Sequence, residues 1–83
     1  MEIGVYILYC RNERFYVGST NDLERRIFSH QNGYVKATKN ILPIKLVAFI
    51  PCSDLKSARQ FEYKIKKMKS RKYTEQLVLE YAV

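Results

Sequence analysis

The chain has 83 residues, of which 47% are hydrophobic and 28% are charged. This length suits one domain rather than two independent cores, and the apolar content excludes a disordered chain. No apolar run approaches the roughly 18 residues that a membrane helix needs, so we expect no membrane partner. We predict a single domain that spans residues 1–83.

The balance of charge is strongly basic. The net charge is +7, from 15 lysine and arginine residues against 8 acidic residues. An excess of this size favours a polyanionic partner such as DNA or RNA. A basic domain without such a partner is the alternative that charge alone leaves open.

The cysteines indicate a reducing compartment. Cys10 and Cys52 are too few for a disulfide framework, and with the single histidine they match no zinc-ligand spacing. No signal peptide is recognised at the start of the chain. We therefore expect two reduced thiols in a cytoplasmic protein.

The first predicted elements are two strands joined by a polar turn. Residues 3–10 are apolar on both faces, which is typical of a strand covered on both sides, and residues 15–20 form its hairpin partner. Side chains alternate along strands, so Tyr6 and Tyr16 face the same side only with an odd loop or a bulge. A shared face would need a loop of three or five residues around Asn12.

Helices and one more strand follow. A capping segment at residues 20–22 starts a helix that reaches about residue 31, where Asn32 and Gly33 end it. A third strand covers residues 44–50. A longer helix begins at residues 53–54 and reaches about residue 70, and a last one covers residues 74–81. The predicted fold is α+β in the order β-β-α-β-α-α, with a small three-stranded, mainly antiparallel sheet flanked by helices.

The longer helix carries one carboxylate beside its apolar face. On a helical wheel Glu62 falls at the edge of that face, where a charge is costly unless it is paired or bound to a metal. A salt bridge from Glu62 to Lys66, four residues on, is the structural explanation. A metal-binding or catalytic role is the functional one, and both stay open.

The first helix has a comparable feature. Arg26 and His30 lie four residues apart and share a face. An arginine offers a fork of donors that fits a phosphate, and a histidine can move a proton near neutral pH. An ion-paired arginine and a buried, hydrogen-bonded histidine are the alternatives. Gly18, at the end of the second strand, eases a bulge or lets a substrate backbone approach closely.

Basic residues are concentrated late in the chain. Six of the nine residues from 64 to 72 are lysine or arginine, and two more lysines lie in the loop after the first helix. A solvated helix face explains such a run equally well. The candidate contacts to nucleic acid are Gly18, Lys36, Lys39, Lys64, Lys66, Lys67, Lys69, Arg71 and Lys72.

These features together resemble one family. Gly4-Val5-Tyr6 and Tyr16-Val17-Gly18 look like the two tripeptides that name the GIY-YIG nucleases. The stretch from Gly18 to Arg26, closing with His30, resembles the first helix of the family, and Ala58 and Glu62 match its metal-binding helix. The chain is most similar to the compact single-domain members, and to the catalytic modules of the excision-repair protein UvrC and of phage homing endonucleases.

The resemblance implies an endonuclease that hydrolyses phosphodiester bonds in nucleic acid, DNA above RNA, with one Mg²⁺ or Mn²⁺ ion. It implies that Glu62 binds the metal, that Arg26 contacts the phosphate and that His30 assists by hydrogen bonding. Tyr6 would activate the attacking water as a phenolate, with Tyr16 positioning it. We expect Arg26 and the metal to lower the pKa of this phenol. Because these roles need both tyrosines on one face, we predict a loop of three or five residues around Asn12.

Two departures from the family pattern stand out. Val5 replaces the isoleucine of the first tripeptide, a swap that keeps strand propensity. Residues 71–83 contain no asparagine, although many members carry one there. A non-catalytic nucleic-acid-binding module on the same scaffold is the alternative function. The substrate structure, a role in DNA repair or recombination, and assembly as a homodimer or with an accessory protein stay open.

Overall fold

The elements follow the predicted order. A computed structural model describes residues 2–83, so Met1, the first residue of the predicted domain, lies outside the described range. A short 3-10 turn covers Lys39–Ile41. The strands and helices, named in chain order, are β1 Gly4–Cys10, β2 Phe15–Thr20, α1 Leu23–Gln31, β3 Ile44–Pro51, α2 Leu55–Met68 and α3 Arg71–Glu80.

The three strands form one antiparallel sheet with β1 in the centre, in the order β2-β1-β3. This arrangement confirms the predicted α+β fold. It also explains why β1 is apolar on both faces, because helices cover it from both sides. One face packs against α2 and α3 through a core that includes Val5, Ile7 and Ile65. The other packs against α1 through Leu8 and Leu23.

The hairpin between β1 and β2 has the predicted odd loop. The Cys10 amide donates to the Arg14 carbonyl at 3.0 Å, and the Glu13 amide donates to the Cys10 carbonyl at 2.9 Å. Three residues therefore close the turn, and Glu13 adopts a left-handed backbone with φ of 64°. Leu8 pairs with Tyr16. Tyr16 consequently lies on the same face as Tyr6, which is two residues from Leu8.

The predicted boundary between the last two helices was wrong. The helix α2 ends at Met68, and Lys69 closes it in a left-handed conformation with φ of 50°. Ser70 then caps α3 by accepting a hydrogen bond from the Tyr73 amide at 3.1 Å, so this helix begins at Arg71 rather than at Thr74. The left-handed position after a helix is usually occupied by glycine, which marks the helix end in the sequence. A lysine in that position gives no such signal.

Both cysteines are free thiols. Cys10 is buried in the core on the α1 side of the sheet, and burial raises the pKa of its thiol. Within residues 2–83, each helix is too short or too polar to cross a membrane.

Candidate active site

Tyr6 lies at the centre of the candidate site, on the central strand and beneath α1. It has no exposed surface. The Arg26 Nε–H donates a hydrogen bond to its Oη at 3.2 Å, and His30 Nε2 lies 2.9 Å from the same oxygen. The structure therefore brings together three of the predicted catalytic side chains on a single phenolic oxygen.

Gly18 faces Tyr6 across the strand pair, and it eases no bulge there. The pairing of β1 with β2 runs without a bulge through this position. Gly18 is itself buried. A Cβ atom there would overlap the Tyr6 phenol, so the glycine is needed to make room for that ring. A contact between Gly18 and nucleic acid stays a prediction.

His30 is buried and hydrogen-bonded through both ring nitrogens. Its Nδ1 lies 2.8 Å from Thr38 Oγ1, and both residues have no exposed surface. Burial and the nearby positive charge of Arg26 lower the pKa of His30 from 6.5 to about 4. The imidazole is therefore neutral at neutral pH. The buried, hydrogen-bonded histidine that we weighed as an alternative is thus present, in contact with Tyr6.

Burial also has the largest effect on the pKa of the Tyr6 phenol. It raises the pKa of Tyr6 above its ordinary value of 10.0, and this effect exceeds the lowering by Arg26. The expected lowering by Arg26 is therefore present as one cause, but burial outweighs it. Removing a phenol from water penalises its charged form, and a single hydrogen-bonded guanidinium does not offset that penalty here.

Tyr16 completes the aromatic group on this face. Its ring centroid lies 5.2 Å from that of His30 and 6.4 Å from that of Tyr6. Tyr16 is half-buried, whereas Tyr6 is fully enclosed. The Nζ of Lys66 lies 5.7 Å from the centre of the Tyr16 ring. Tyr16 therefore links the buried group to the side chains of α2.

Glu62 reaches this region from the opposite side of the sheet, past the edge strand β2. The Ser19 hydroxyl donates to its Oε1 at 2.5 Å, and Lys66 Nζ donates to its Oε2 at 2.5 Å. The predicted salt bridge between Glu62 and Lys66 is thus confirmed. The charge of Glu62 also contributes to raising the pKa of Tyr6 and of Arg26, so the carboxylate acts on the same site.

Two residues of this site escaped the sequence pattern. Ser19 holds the Glu62 carboxylate, and Thr38 holds His30. Ser19 belongs to an ordinary strand, and Thr38 belongs to a polar loop. Neither position carries a periodicity or spacing that could have marked it.

The donor set fits a cation that takes few ligands from protein. Residues 2–83 contain no group of three or more histidine, cysteine, aspartate or glutamate side chains able to hold a metal. Mg²⁺ keeps several waters and binds through one or two carboxylates together with substrate phosphates. Glu62 alone, with 21% of its side chain exposed, matches that requirement once Lys66 moves aside.

The eight basic side chains predicted to contact nucleic acid are all exposed. Three of them already have partners within the chain. The Nζ of Lys67 lies 6.0 Å from the centre of the Tyr63 ring. Lys66 pairs with Glu62, and Arg71 donates to the Glu13 carbonyl at 2.9 Å while its guanidinium lies over the Phe15 ring. Arg71 therefore connects α3 to the hairpin through these two contacts. Lys36 and Lys39 lie on the loop that carries Thr38.

A scan against protein families matches residues 2–74 to the GIY-YIG catalytic domain. The chain belongs to this family, whose members are generally nucleases. The match covers every element that contributes to the site described above, from β1 to α2. It confirms the resemblance that the two tripeptides indicated.

Its relatives among curated proteins carry the family name UPF0213. The chain is 46% identical to UPF0213 protein CPE1444 of Clostridium perfringens over 65 residues, which cover 77% of this chain and 70% of that protein. It is 35% identical to UPF0213 protein YazA of Bacillus subtilis over 68 residues, covering 81% and 69%. These names state no activity.

A solved structure has the same fold. The solution NMR structure of UPF0213 protein BH0048 from Bacillus halodurans aligns with a TM-score of 0.59 and 39% sequence identity. The alignment covers 94% of this chain and 83% of that one.

Proposed function

We propose that this protein is an endonuclease that hydrolyses phosphodiester bonds in DNA with the help of one divalent cation, Mg²⁺ or Mn²⁺. The observation that carries the proposal is the meeting of Arg26, Tyr6 and His30 on one oxygen. The Glu62 carboxylate, held by Ser19, is near enough to raise the pKa of Tyr6 and of Arg26. A domain that only binds nucleic acid has no need for a buried phenol that contacts both a cation and a proton acceptor.

Tyr6 is the proposed general base. Its Oη hands its proton to His30 Nε2, 2.9 Å away, and the phenolate then takes a proton from the attacking water. In the free protein this transfer is unfavourable, because burial raises the pKa of Tyr6 and lowers that of His30 to about 4. The phenolate is therefore scarcely populated in the free protein.

Arg26 is the proposed phosphate contact. It is half-buried and now donates to Tyr6, so turning toward a phosphate would open the Tyr6 Oη to a water molecule. Its guanidinium would stabilise the negative charge that develops on the phosphate. Glu62 would hold the metal ion, which, when bound, polarises the scissile phosphate and stabilises the leaving oxygen. Tyr16, half-buried beside Tyr6, would position the water.

The test is cleavage of single-stranded, double-stranded, nicked and branched DNA with Mg²⁺, with Mn²⁺ and with chelator. We expect metal-dependent cleavage that falls by about 100-fold or more in Glu62→Gln and Tyr6→Phe. Glu75→Gln is the matched control, because Glu75 also pairs with a basic residue four positions away but lies on α3. Cleavage that survives Glu62→Gln or chelator would refute the proposal.

The same assay separates the second candidate, a binding module without catalysis. The salt bridge between Lys66 and Glu62 favours it, because that pair leaves the carboxylate without a free oxygen. This candidate predicts DNA binding that is sensitive to salt, unaffected by chelator and never followed by cleavage.

A further inference from the structure

The loop between α1 and β3 delivers one side chain into the buried site. Thr38 is fully enclosed, although its neighbours Lys36, Ala37 and Lys39 are exposed. Its Oγ1 lies 2.8 Å from His30 Nδ1, the ring nitrogen that faces away from Tyr6. His30 is the only histidine of the chain. The loop therefore buries a single hydroxyl, and that hydroxyl contacts this histidine.

The hydrogen bond from Arg26 to Tyr6 favours one placement of the protons. Arg26 can only donate, so Tyr6 Oη accepts from it, and the hydrogen of Tyr6 then has His30 Nε2 as its acceptor. A neutral imidazole carries one proton, so an accepting Nε2 requires the proton to be on Nδ1. Thr38 Oγ1 is the group that accepts a hydrogen bond from that Nδ1–H.

We propose that Thr38 is a positioning residue that holds His30 in the tautomer with its proton on Nδ1, and so leaves Nε2 bare to receive the proton of Tyr6. The proposal rests on the function proposed above, in which His30 takes that proton. Thr38 itself touches neither substrate nor the reacting atoms. It acts through the imidazole, as hydrogen-bonding partners of functional histidines generally do.

The local backbone holds Thr38 in place for this role. Its amide donates to the Val35 carbonyl at 3.1 Å, and its carbonyl accepts from the Ile41 amide at 3.0 Å. Thr38 also stands at the start of the 3-10 turn Lys39–Ile41. These bonds hold the main chain from which the Thr38 side chain reaches His30.

The test uses the full chain labelled with ¹⁵N-histidine, purified without a histidine tag. The chain has one histidine, so the two imidazole nitrogen signals need no assignment. At neutral pH we expect the signals of a neutral ring with the proton on Nδ1. Thr38→Val removes the acceptor but keeps the shape, and should shift His30 toward the tautomer protonated on Nε2. Thr38→Ser keeps the hydroxyl and should restore the wild-type signals.

Kinetics supply the second readout. In Thr38→Val we expect kcat to fall by roughly 10-fold, a loss at the low end of those seen for partners that orient a histidine, with KM unchanged and with recovery in Thr38→Ser. A wild-type ring protonated on Nε2 would overturn the proposal even if the valine variant fails to fold. Unchanged signals in a folded Thr38→Val protein would also overturn it.

The nitrogen signals need no catalysis, so the two proposals fail separately. If the wild-type tautomer and its dependence on Thr38 are as expected but no DNA is cut, the positioning of His30 stands and the nuclease proposal falls. If DNA is cut but the tautomer differs, the nuclease proposal stands and the positioning role of Thr38 fails.

Discussion

His30 is neutral at neutral pH because it is buried beside the Arg26 guanidinium. A neutral ring can accept a proton, whereas a protonated one could only donate hydrogen bonds. Burial therefore does more than pack the side chain, since it also sets the protonation state that the proposed chemistry requires. Because a buried neutral histidine resists protonation, the folded protein should be less stable at acidic pH.

We expect the free energy of unfolding to depend on pH through His30. The pKa of His30 is about 4 in the folded protein and 6.5 in the unfolded chain. Between these values the unfolded chain binds a proton that the folded protein does not bind. The stabilising contribution is complete above pH 6.5 and is lost as the pH falls toward 4. The loss approaches about 3 kcal/mol.

Urea unfolding of wild type and His30→Gln between pH 7 and pH 4 measures this effect. His30→Gln should be less stable at pH 7 and should lose less stability across the window. Asp54, whose pKa is lowered by hydrogen bonds from Ser57, is present in both proteins, so the difference between them isolates His30. Parallel profiles would contradict the assignment.

At the level of elements, the hairpin sets the geometry of the site. Its three-residue loop fixes the register that puts Tyr6 and Tyr16 on one face and Gly18 opposite Tyr6. A turn of this kind ends in a left-handed residue, for which glycine is preferred. Here that residue is Glu13.

Glu13→Gly should stabilise the fold by about 0.5–1 kcal/mol, because glycine adopts a left-handed backbone without steric penalty. The main-chain carbonyl that accepts from Arg71 is retained in the variant. Glu13→Ala removes the same side chain but keeps the penalty, and is the control. Chemical denaturation that finds the glycine variant no more stable than the alanine variant would count against the loop geometry.

Across the whole molecule, the basic side chains differ in their partners and in the element on which they lie. Lys66 and Arg71 have hydrogen-bonded partners within the fold, whereas Lys67, on the helix α2 that carries Glu62, only lies over the Tyr63 ring. Lys45 is exposed on β3, the strand at the far edge of the sheet from β2. The two lysines therefore contribute equally to net charge but lie on different elements, and only Lys67 shares an element with Glu62.

Lys67→Gln and Lys45→Gln should affect binding of DNA differently. If Lys67 contacts a phosphate, its loss lowers the slope of log affinity against log salt by about 0.9, the value for one phosphate contact on a duplex. Lys45→Gln should leave the slope nearly unchanged. Titrations at several salt concentrations, in the presence of chelator to prevent cleavage, give both slopes. Equal slopes in the two variants would mean that net charge alone drives binding.

The amino-acid sequence by itself determined the elements and their order, and the family resemblance pointed to Tyr6, Arg26 and His30, which the fold brings together. Alternation of apolar residues, helical periodicity and capping residues act over two to four positions, so they can be read directly from the chain. The odd hairpin loop followed from the same alternation and was confirmed. The boundary at Lys69 and Ser70 was missed, because a lysine in a left-handed conformation leaves no local signal.

Only the tertiary structure decided how the site is supported and how its groups ionise. Tyr6 meets His30 across 24 positions, and Ser19 meets Glu62 across 43. Which hydroxyl reaches which partner depends on the packing of helices on both faces of the sheet. The raised pKa of Tyr6 and the lowered pKa of His30 come mainly from burial, a property of the folded molecule that no single segment carries.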